Sequence, residues 1–337
     1  MNPPSCPQIG RSNWPKDFFG KSEVLAQYLQ FLPLLGLLIL CIFLASSHLL
    51  RSSGEAVVVY TSQDQVYAEP ILREFTKQTG IKVRALYDSE AVKTVGLANR
   101  LLAERSHPQC DLFWNNEELR TRQLAAKGVF RETNAWAPVG FRSRRLVVNT
   151  NKVSLSSAPH SFQEITNEVW RGKVALAYPL FGTTATHFLA LRQQWGEANW
   201  QLWCRSLQAN KPFLVDGNSV AAQFVARGEA WIGLTDSDDI AAEQREGAPI
   251  AALPLGPESL LIRNTVAVVA GARHPEAAQR LFEFLQRREV AQQLAAMNAL
   301  EGISTSEVST PTLEVKWDQL LGDLVAATET LKQIFLR

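Results

Sequence analysis

The 337-residue sequence predicts an α/β fold with two lobes, each a mostly parallel sheet flanked by helices. Short β-branched runs alternate with helical segments, which is typical of a parallel sheet covered on both faces. The middle of the chain repeats this alternation. The length also favours two lobes, because a single hydrophobic core rarely grows beyond ~250–300 residues.

The first elements are predicted as strand, helix and strand. Residues 56–60 form a β-branched run typical of a buried parallel strand. Apolar residues then recur at helical spacing until Gly80, a residue type that commonly ends a helix. The same patterns predict the next elements: strands at 81–87 and 111–114, and helices at 91–104 and 119–127.

The rest of the chain continues the alternation. Strands are predicted at 146–149, 173–177, 230–234 and 265–269, and helices at 183–195, 200–207, 220–227, 240–246, 275–285 and 290–294. Residues 313–335 are amphipathic and predict one or two helices at the C-terminus.

An apolar segment precedes the predicted fold. Residues 24–50 contain no Asp, Glu, Lys or Arg, and ~20 apolar residues in a helix span a bilayer. Arg11, Lys16 and Lys21 precede it and place residues 1–23 in the cytoplasm by the positive-inside tendency. The run exceeds the ~7–15 residues of a signal-peptide core, which favours a retained signal anchor over a cleaved signal peptide. Either way, we expect the body of the protein on the periplasmic or extracytoplasmic face, membrane-anchored or secreted.

Composition and motifs exclude several classes of function. The formal net charge is +1, so nothing suggests a nucleic-acid partner. The sequence has no Gly-x-Ser-x-Gly motif, no Gly-rich phosphate loop and no metal-type Cys/His spacing. We therefore expect no enzymatic activity and no required cofactor. Cys110 and Cys204 are predicted to be buried free thiols.

The candidate binding residues lie in polar turns at predicted strand ends. In open parallel sheets, ligands bind beyond the carboxyl ends of the strands. This rule selects ten candidates: Ser62, Asp64, Glu90, Asn115, Gly182, Thr183, Thr184, Asp236, Asp238 and Asp239.

Two of these turns have competing interpretations. Residues 182–184 begin a predicted helix, so their N–H groups and hydroxyls either bind an anion or simply cap that helix. Asp236, Asp238 and Asp239 offer carboxylates to a cation or an amine. Alternatively, Asp238 or Asp239 caps the helix predicted at 240–246.

Other polar residues near the strand ends are expected to have structural roles. Arg142, Arg144 and Arg145 precede a predicted strand; one of them could pair with an anion, but most such arginines are solvated. His187 lies one turn into a predicted helix, where a lone histidine is more often packed than a ligand.

A series of motifs between residues 56 and 296 resembles a known protein family. The motifs are residues 57–62, 75–83, 108–114, 128–130, 182–184, 264–269 and 274–278. Their order and spacing resemble the type II periplasmic binding proteins and, within them, the ferric-iron-binding group of importer components.

The resemblance implies how the chain is divided. The family fold has two α/β lobes joined by two crossing strands, with the ligand in the cleft between them. Lobe 1 would then comprise residues 56–145 and 264–337, and lobe 2 residues 146–263.

The resemblance also implies a cargo and its ligands. Ferric-binding relatives hold Fe(3+) with a synergistic anion, whose site corresponds here to residues 182–184. Asp64 falls where some relatives carry a histidine ligand, and Glu90 near where some carry a glutamate. Asp238 and Asp239 fall near the adjacent tyrosines of these relatives, a pair that is absent among the five tyrosines of this chain. The metal ligands implied are Asp64, Glu90, Asp238 and Asp239.

The function implied is that of the solute-binding component of an ABC transporter. It would bind ferric iron by lobe closure and deliver it to a permease and its ATPase subunit, and we expect it to act as a monomer. Two alternatives stay open. One is a binding protein for a phosphonate- or carboxylate-bearing amine, and the other is a membrane-anchored ligand sensor without transport.

Overall fold

The structure, a computed structural model, describes residues 56–88, 95–131 and 136–336. The predicted cytoplasmic segment 1–23, the predicted signal anchor or signal peptide 24–50 and Glu90 lie outside the described residues. Within the described part of the chain, no helix combines the length and the apolar character needed to cross a membrane.

Nine strands and ten helices make up the described part of the chain. The strands are β1 (Ala56–Thr61), β2 (Lys82–Tyr87), β3 (Leu112–Asn115), β4 (Trp136–Asn149), β5 (Val174–Ala177), β6 (Phe213–Val215), β7 (Ile232–Asp236), β8 (Ile250–Ala252) and β9 (Leu261–Val268). The helices are α1 (Gln65–Thr79), α2 (Val95–Ala103), α3 (Glu118–Ala126), α4 (Gly182–Trp195), α5 (Glu197–Ala209), α6 (Asn218–Ala226), α7 (Ser237–Arg245), α8 (Pro275–Leu285), α9 (Arg288–Ala296) and α10 (Trp317–Phe335). The predicted elements are confirmed with shifted ends, whereas β6 and β8, of three residues each, were not predicted.

The strands follow the order β2-β1-β3-β9-β4-β7-β5-β6, and β8 also pairs with β4. Both ends of this array are parallel, since β1 pairs in parallel with β2 and β3, and β5 with β6 and β7. In the centre, β9 is antiparallel to β3 and β4, and β7 is antiparallel to β4. The array therefore has two parallel halves joined through β9 and β4.

Helices cover both faces of each half. In the half containing β1, Val57 and Val59 pack with α1, α8 and α9, whereas Tyr60 packs on the opposite face with α2 and α3. In the half containing β5, Leu176 packs with α4, α5 and α10, and Ala175 with α6 and α7. Because successive strand residues point to opposite faces, these apolar runs are buried on both sides, as expected for parallel strands.

β4 is a 14-residue strand shared by the two halves. Its first part pairs with β9, and its second part, from Arg144 to Val148, pairs with β7. The sequence predicted a strand only at 146–149 and mostly solvated arginines before it. That prediction is wrong for Arg142 and Arg144, which lie within β4 and are buried. Their charges are compensated by carboxylates distant in the sequence, which no local pattern indicates.

The C-terminal helix α10 packs with the half of the sheet that contains β5. Its buried residues Leu320, Leu324, Leu331 and Phe335 join the core formed with α4 and α5, and Phe335 lies 6.0 Å from Phe188 between ring centroids. The division inferred from the sequence had grouped this segment with lobe 1. The apolar face of α10 finds its partners in the other lobe, while the remaining lobe boundaries stay a prediction.

Gly140 occupies an irregularity of β4 between Pro138 and Phe141. Its φ is +92°, and a Cβ there would meet Leu300 Cδ1 at 2.5 Å and the Gly302 carbonyl oxygen at 2.9 Å. We expect Gly140→Ala to lower the free energy of unfolding by at least about 2 kcal/mol, because both backbone strain and a steric clash are introduced. Urea denaturation measures this change.

Gly256 provides the matched control, because a Cβ at this position would meet nothing within 4 Å. Gly256→Ala should change the free energy of unfolding by less than ~0.5 kcal/mol. Equal effects of the two substitutions would contradict the packing described for Gly140.

Candidate functional site

Three helix N-termini meet at one edge of the sheet. The carboxyl ends of the parallel strands β5, β6 and β7 lead into α4, α6 and α7, respectively. A cavity of about 30 Å³ lies there, and its lining includes Arg142, Tyr178, Gly182, Thr183, Asn218 and Asp236. This space suits a metal ion or a small anion better than a larger solute.

Asp236, the last residue of β7, accepts hydrogen bonds from three side chains and forms an ion pair with a fourth. Arg144 Nη1 lies 2.7 Å from Oδ1, while Thr183 Oγ1 and Asn218 Nδ2 lie 2.8 and 3.4 Å from Oδ2. Arg142 Nη2 is 3.3 Å from Oδ2. Burial alone would raise the pKa of Asp236, but the Arg144 and Arg142 guanidiniums outweigh it and hold that pKa below its usual value. Asp236 is therefore a buried, ionised carboxylate.

Strand register places Arg144 against Asp236. The two residues are directly opposite each other in the antiparallel pairing of β4 with β7. Arg144 is fully buried, and its Nη1 also donates to Asn218 Oδ1 at 2.8 Å. The pair thus connects both strands with the first residue of α6.

Arg142 lies two residues before Arg144, on the same face of β4. Its Nη1 donates to Asp238 Oδ2 at 2.5 Å, and its Nη2 donates to the Asn116 carbonyl oxygen at 3.1 Å. Burial disfavours its charge, but Asp238, Asp236 and Asp239 raise the pKa of Arg142 above its usual value. Arg142 therefore carries a permanent charge on the floor of the cleft.

A group of carboxylates surrounds this charge. Asp236, Asp238 and Asp239 bring carboxylate oxygens within 4.8 Å of one another. Asp239 Oδ2 accepts from Thr235 Oγ1 at 3.0 Å. Burial, with added repulsion from Asp236 and Asp64, raises the pKa of Asp238 against the opposing effect of Arg142. Asp64, which precedes α1 in the other half of the sheet, thus adds negative charge near Asp238.

Asp238 retains one unused ligand atom. Its Oδ1 is buried and has no hydrogen-bond partner among the described residues. The alternative that Asp238 or Asp239 caps a helix is wrong, because α7 begins at Ser237 and its N-cap, Asp236, makes no side-chain capping bond. The orientation of Asp238 is instead set by its ion pair with Arg142.

The threonine hydroxyls at the start of α4 already donate hydrogen bonds within the protein. Thr183 donates to Asp236, and Thr184 Oγ1 donates to Asn218 Oδ1 at 3.0 Å. The N-cap of α4 is Phe181 and makes no side-chain capping bond, so capping by a threonine is wrong. Gly182 begins α4 and lines the cavity.

Ser62 and Asn115 stabilise the turn opposite. Ser62 Oγ donates to Asn115 Oδ1 at 2.6 Å, and Asn115 Nδ2 donates to the Glu117 carbonyl oxygen and to Thr121 Oγ1. Both residues are buried, and neither lines the cavity, whereas the neighbouring Asn116 does. Their geometry favours a supporting role, and direct contact with a ligand stays a prediction.

Sequence reasoning missed several residues that line or build the cavity, among them Arg142, Arg144, Tyr178 and Asn218. One signal was available for the arginines, because residues two apart share a face of a strand. Tyr178 directly follows β5 and Asn218 begins α6, so the strand-end rule also applied to both.

His187 of α4 is fully buried beneath the cavity. Its Nε2 lies 2.7 Å from the Glu258 carbonyl oxygen, and its ring meets Phe162 edge-on at 4.8 Å between centroids. Burial, with a smaller contribution from Arg144, lowers the pKa of His187 to about 3. His187 is therefore a neutral, packed histidine, as its isolated position predicted.

The family described as bacterial extracellular solute-binding proteins matches residues 56–297. The chain belongs to this family. The match runs from β1 to the end of α9 and includes all nine strands of the described chain.

Several relatives of this solute-binding protein have names that state the cargo they bind. It is similar to the major ferric iron-binding protein of Neisseria meningitidis serogroup A, with 25% identity over 284 residues, 77% of this chain and 84% of the relative. It is also similar to the Fe(3+)-binding periplasmic protein of Serratia marcescens, with 23% identity over 288 residues, 78% of this chain and 83% of the relative.

Solved structures confirm the predicted two-lobed fold class. Iron-bound HitA from Pseudomonas aeruginosa is similar with a TM-score of 0.73 and 18% identity, covering 84% of this chain and 100% of that one. AfuA from Actinobacillus pleuropneumoniae, with exogenous fructose-6-phosphate bound, is similar with a TM-score of 0.72 and 18% identity, covering 84% and 99%. The same fold thus accommodates both an iron-bound and a sugar-phosphate-bound protein.

We expect His187 to make the stability of this solute-binding protein depend on pH. Its pKa is about 3 in the folded state against 6.5 for an unperturbed histidine, so the unfolded chain binds more protons between these values. The contribution of His187 to the free energy of unfolding is therefore complete above pH ~6.5. It decreases as the pH drops towards 3, by up to ~1.4 kcal/mol per pH unit for one proton. His187→Gln should remove this contribution and flatten the dependence, measured by urea denaturation at pH 7, 6 and 5.

The exposed His160 provides the control. His160→Gln should retain the pH dependence of the wild type. If His187→Gln and the wild type lost stability equally between pH 7 and 5, the assignment of a buried neutral His187 would be wrong.

Proposed function

We propose that this solute-binding protein is the extracytoplasmic component of an ABC importer for ferric iron. Asp238 and Asp239 would bind the metal from one lobe, and Asp64 and Glu90 from the other as the lobes close. The permease and its ATPase subunit would receive the cargo, and residues 24–50 would export the protein or hold it at the membrane. In this role the protein acts as a monomer and performs no catalysis.

The unpartnered Oδ1 of Asp238 carries this proposal. A buried carboxylate oxygen without a hydrogen bond is energetically unfavourable unless a cation or donor satisfies it. The oxygen belongs to a group of three aspartates that lie close enough to share one ion. Carboxylate oxygens are hard ligands, which suit a hard cation such as Fe(3+).

The charge balance of the cleft also supports a cationic cargo. Four carboxylates contribute negative charge: Asp236, Asp238 and Asp239 act on the buried Arg142, Asp236 also pairs with the buried Arg144, and Asp64 acts on Asp238. Arg245, which donates to Tyr67 Oη at 3.2 Å, adds one further positive charge at the rim. The surplus of at least one negative charge is best compensated by a bound cation.

The names of the relatives support iron as that cation. The proteins from N. meningitidis and S. marcescens are both named for ferric iron. In this chain Tyr178 is the tyrosine of the cavity, and the adjacent pair expected from the resemblance is replaced by Asp238 and Asp239. A carboxylate set would therefore serve in place of phenolates.

The alternative cargo, an amine carrying a phosphonate or carboxylate, has less support. Its anionic group was expected to bind Thr183 and Thr184. Both hydroxyls already donate to acceptors of the protein, Asp236 and Asn218. Such an amine would keep its cationic site, but its anionic group would find both hydroxyls of the predicted anion site already donating within the protein.

We expect Asp238→Asn to weaken the binding of ferric iron at least about tenfold, because a charge-assisted ligand contributes roughly 1.5–3 kcal/mol. Calorimetric titration of the metal-stripped, full-length protein with ferric citrate measures this affinity. Asp239→Asn should have a similar effect. The free energy of unfolding without metal should change little, because Arg142 keeps its contacts with Asp236 and Asn116.

Asp216 provides the matched control, since it is exposed and lines the same cavity but is not one of the three clustered aspartates. Asp216→Asn should leave the affinity for iron nearly unchanged. If Asp238→Asn kept the wild-type affinity but strongly destabilised the metal-free protein, Asp238 would be a structural residue. If the wild type bound no ferric iron, the proposed cargo would be wrong.

A further inference from the structure

The surroundings of Asp236 have the composition of an anion receptor. Two guanidinium groups, a threonine hydroxyl and a side-chain amide all point at its carboxylate. Thr183 belongs to the first turn of α4 and Asn218 to that of α6, helices of 14 and nine residues. Because helix N-termini also carry partial positive charge, every one of these groups favours a negative charge.

We propose that Asp236 is a built-in anion, so that the protein binds its cargo without taking an anion from solution. The sequence had predicted an anion from solution at the turn of residues 182–184. In that turn the Thr183 hydroxyl donates instead to a carboxylate of the chain itself, and the Thr184 hydroxyl donates to Asn218. Asp236 thereby acts as a positioning residue and determines that the cargo is a cation alone.

Burial and register make this arrangement hard to displace. Asp236 and Thr183 are 1% and 2% exposed, and Arg144 is 0% exposed. Asp236 is also fixed in the β4–β7 ladder directly opposite Arg144. An anion from solution would have to move a strand residue out of its ladder to reach the same donors.

The built-in anion leaves the neighbouring carboxylates to the cargo. Asp236 accepts hydrogen bonds from Arg144, Thr183 and Asn218 and forms an ion pair with Arg142, so both of its oxygens are occupied. Asp238 accepts a hydrogen bond from Arg142 through Oδ2, whereas its Oδ1 has no hydrogen-bond partner among the described residues. This consequence for the cargo rests on the proposed function, whereas the anion receptor itself does not.

Chemical rescue tests the receptor without any cargo. Asp236→Ala removes the carboxylate and leaves its donors in place, so sodium formate or acetate should bind there. We expect either salt to raise the melting temperature of metal-free, full-length Asp236→Ala by roughly 3 °C or more over sodium chloride at equal ionic strength. The wild type should show no such difference between the salts.

Asp239→Ala is the matched control, because Asp239 belongs to the same group of aspartates and accepts a hydrogen bond from Thr235. Formate should not stabilise this variant beyond the effect of chloride. Equal stabilisation of both variants, or none of a folded Asp236→Ala, would overturn the proposal.

A measurement on the wild type decides the question even if Asp236→Ala fails to fold. Phosphate and bicarbonate should leave its melting temperature unchanged at constant ionic strength. They should also alter its affinity for ferric iron less than twofold. A saturable stabilisation of the metal-free wild type by either anion would overturn the built-in anion. Absence of iron binding would contradict only the proposed cargo, since the melting data stand without it.

Discussion

The ion pair between Arg144 and Asp236 is the interaction on which the architecture of the cleft depends. It joins β4 to β7 and, through Thr183 and Asn218, fixes the first turns of α4 and α6. Loss of one partner from a buried ion pair typically costs about 3–5 kcal/mol, because the other charge is left uncompensated. Arg142 lies two residues before Arg144 on the same strand face, and it pairs with Asp238 in the first turn of α7, so the ion pairs of the cleft form without a ligand.

Much of the fold could be predicted because its local signals agree with the final structure. β-branched runs such as residues 56–60 are buried on both faces, and glycines such as Gly80 end helices in a left-handed conformation. The first half of β4 could not be predicted, because buried arginines resemble solvated ones until their partners are known. The packing partner of α10 could not be predicted for a similar reason. An amphipathic pattern shows that one face of a helix is buried, but it does not show against which core.

The location of the candidate site could be predicted from the sequence, but which of its carboxylates are neutralised by positive groups could not. The strand-end rule selected Asp236, Asp238 and Asp239, and the structure groups them. Which of them is neutralised depends on pairings such as Arg144 with Asp236, 92 residues apart in the sequence. A single sequence contains no signal at that distance. For that reason three similar carboxylates have unlike roles: one saturated by donors, one half-paired and one bonded to a neighbouring threonine.

The late position of β9 in the chain has a consequence for biosynthesis. β3 has β9 as its neighbour on the side facing the centre of the sheet, and Leu112 pairs with Val268. At ~5–20 residues per second, this edge of β3 waits on the order of ten seconds for its partner to be synthesised. An apolar strand edge left open for that time is a template for wrong pairing between nascent chains. In the half of the sheet containing β5, the strands β5, β6 and β7 come from one continuous stretch, but the core also waits for α10, which follows β9 in the chain.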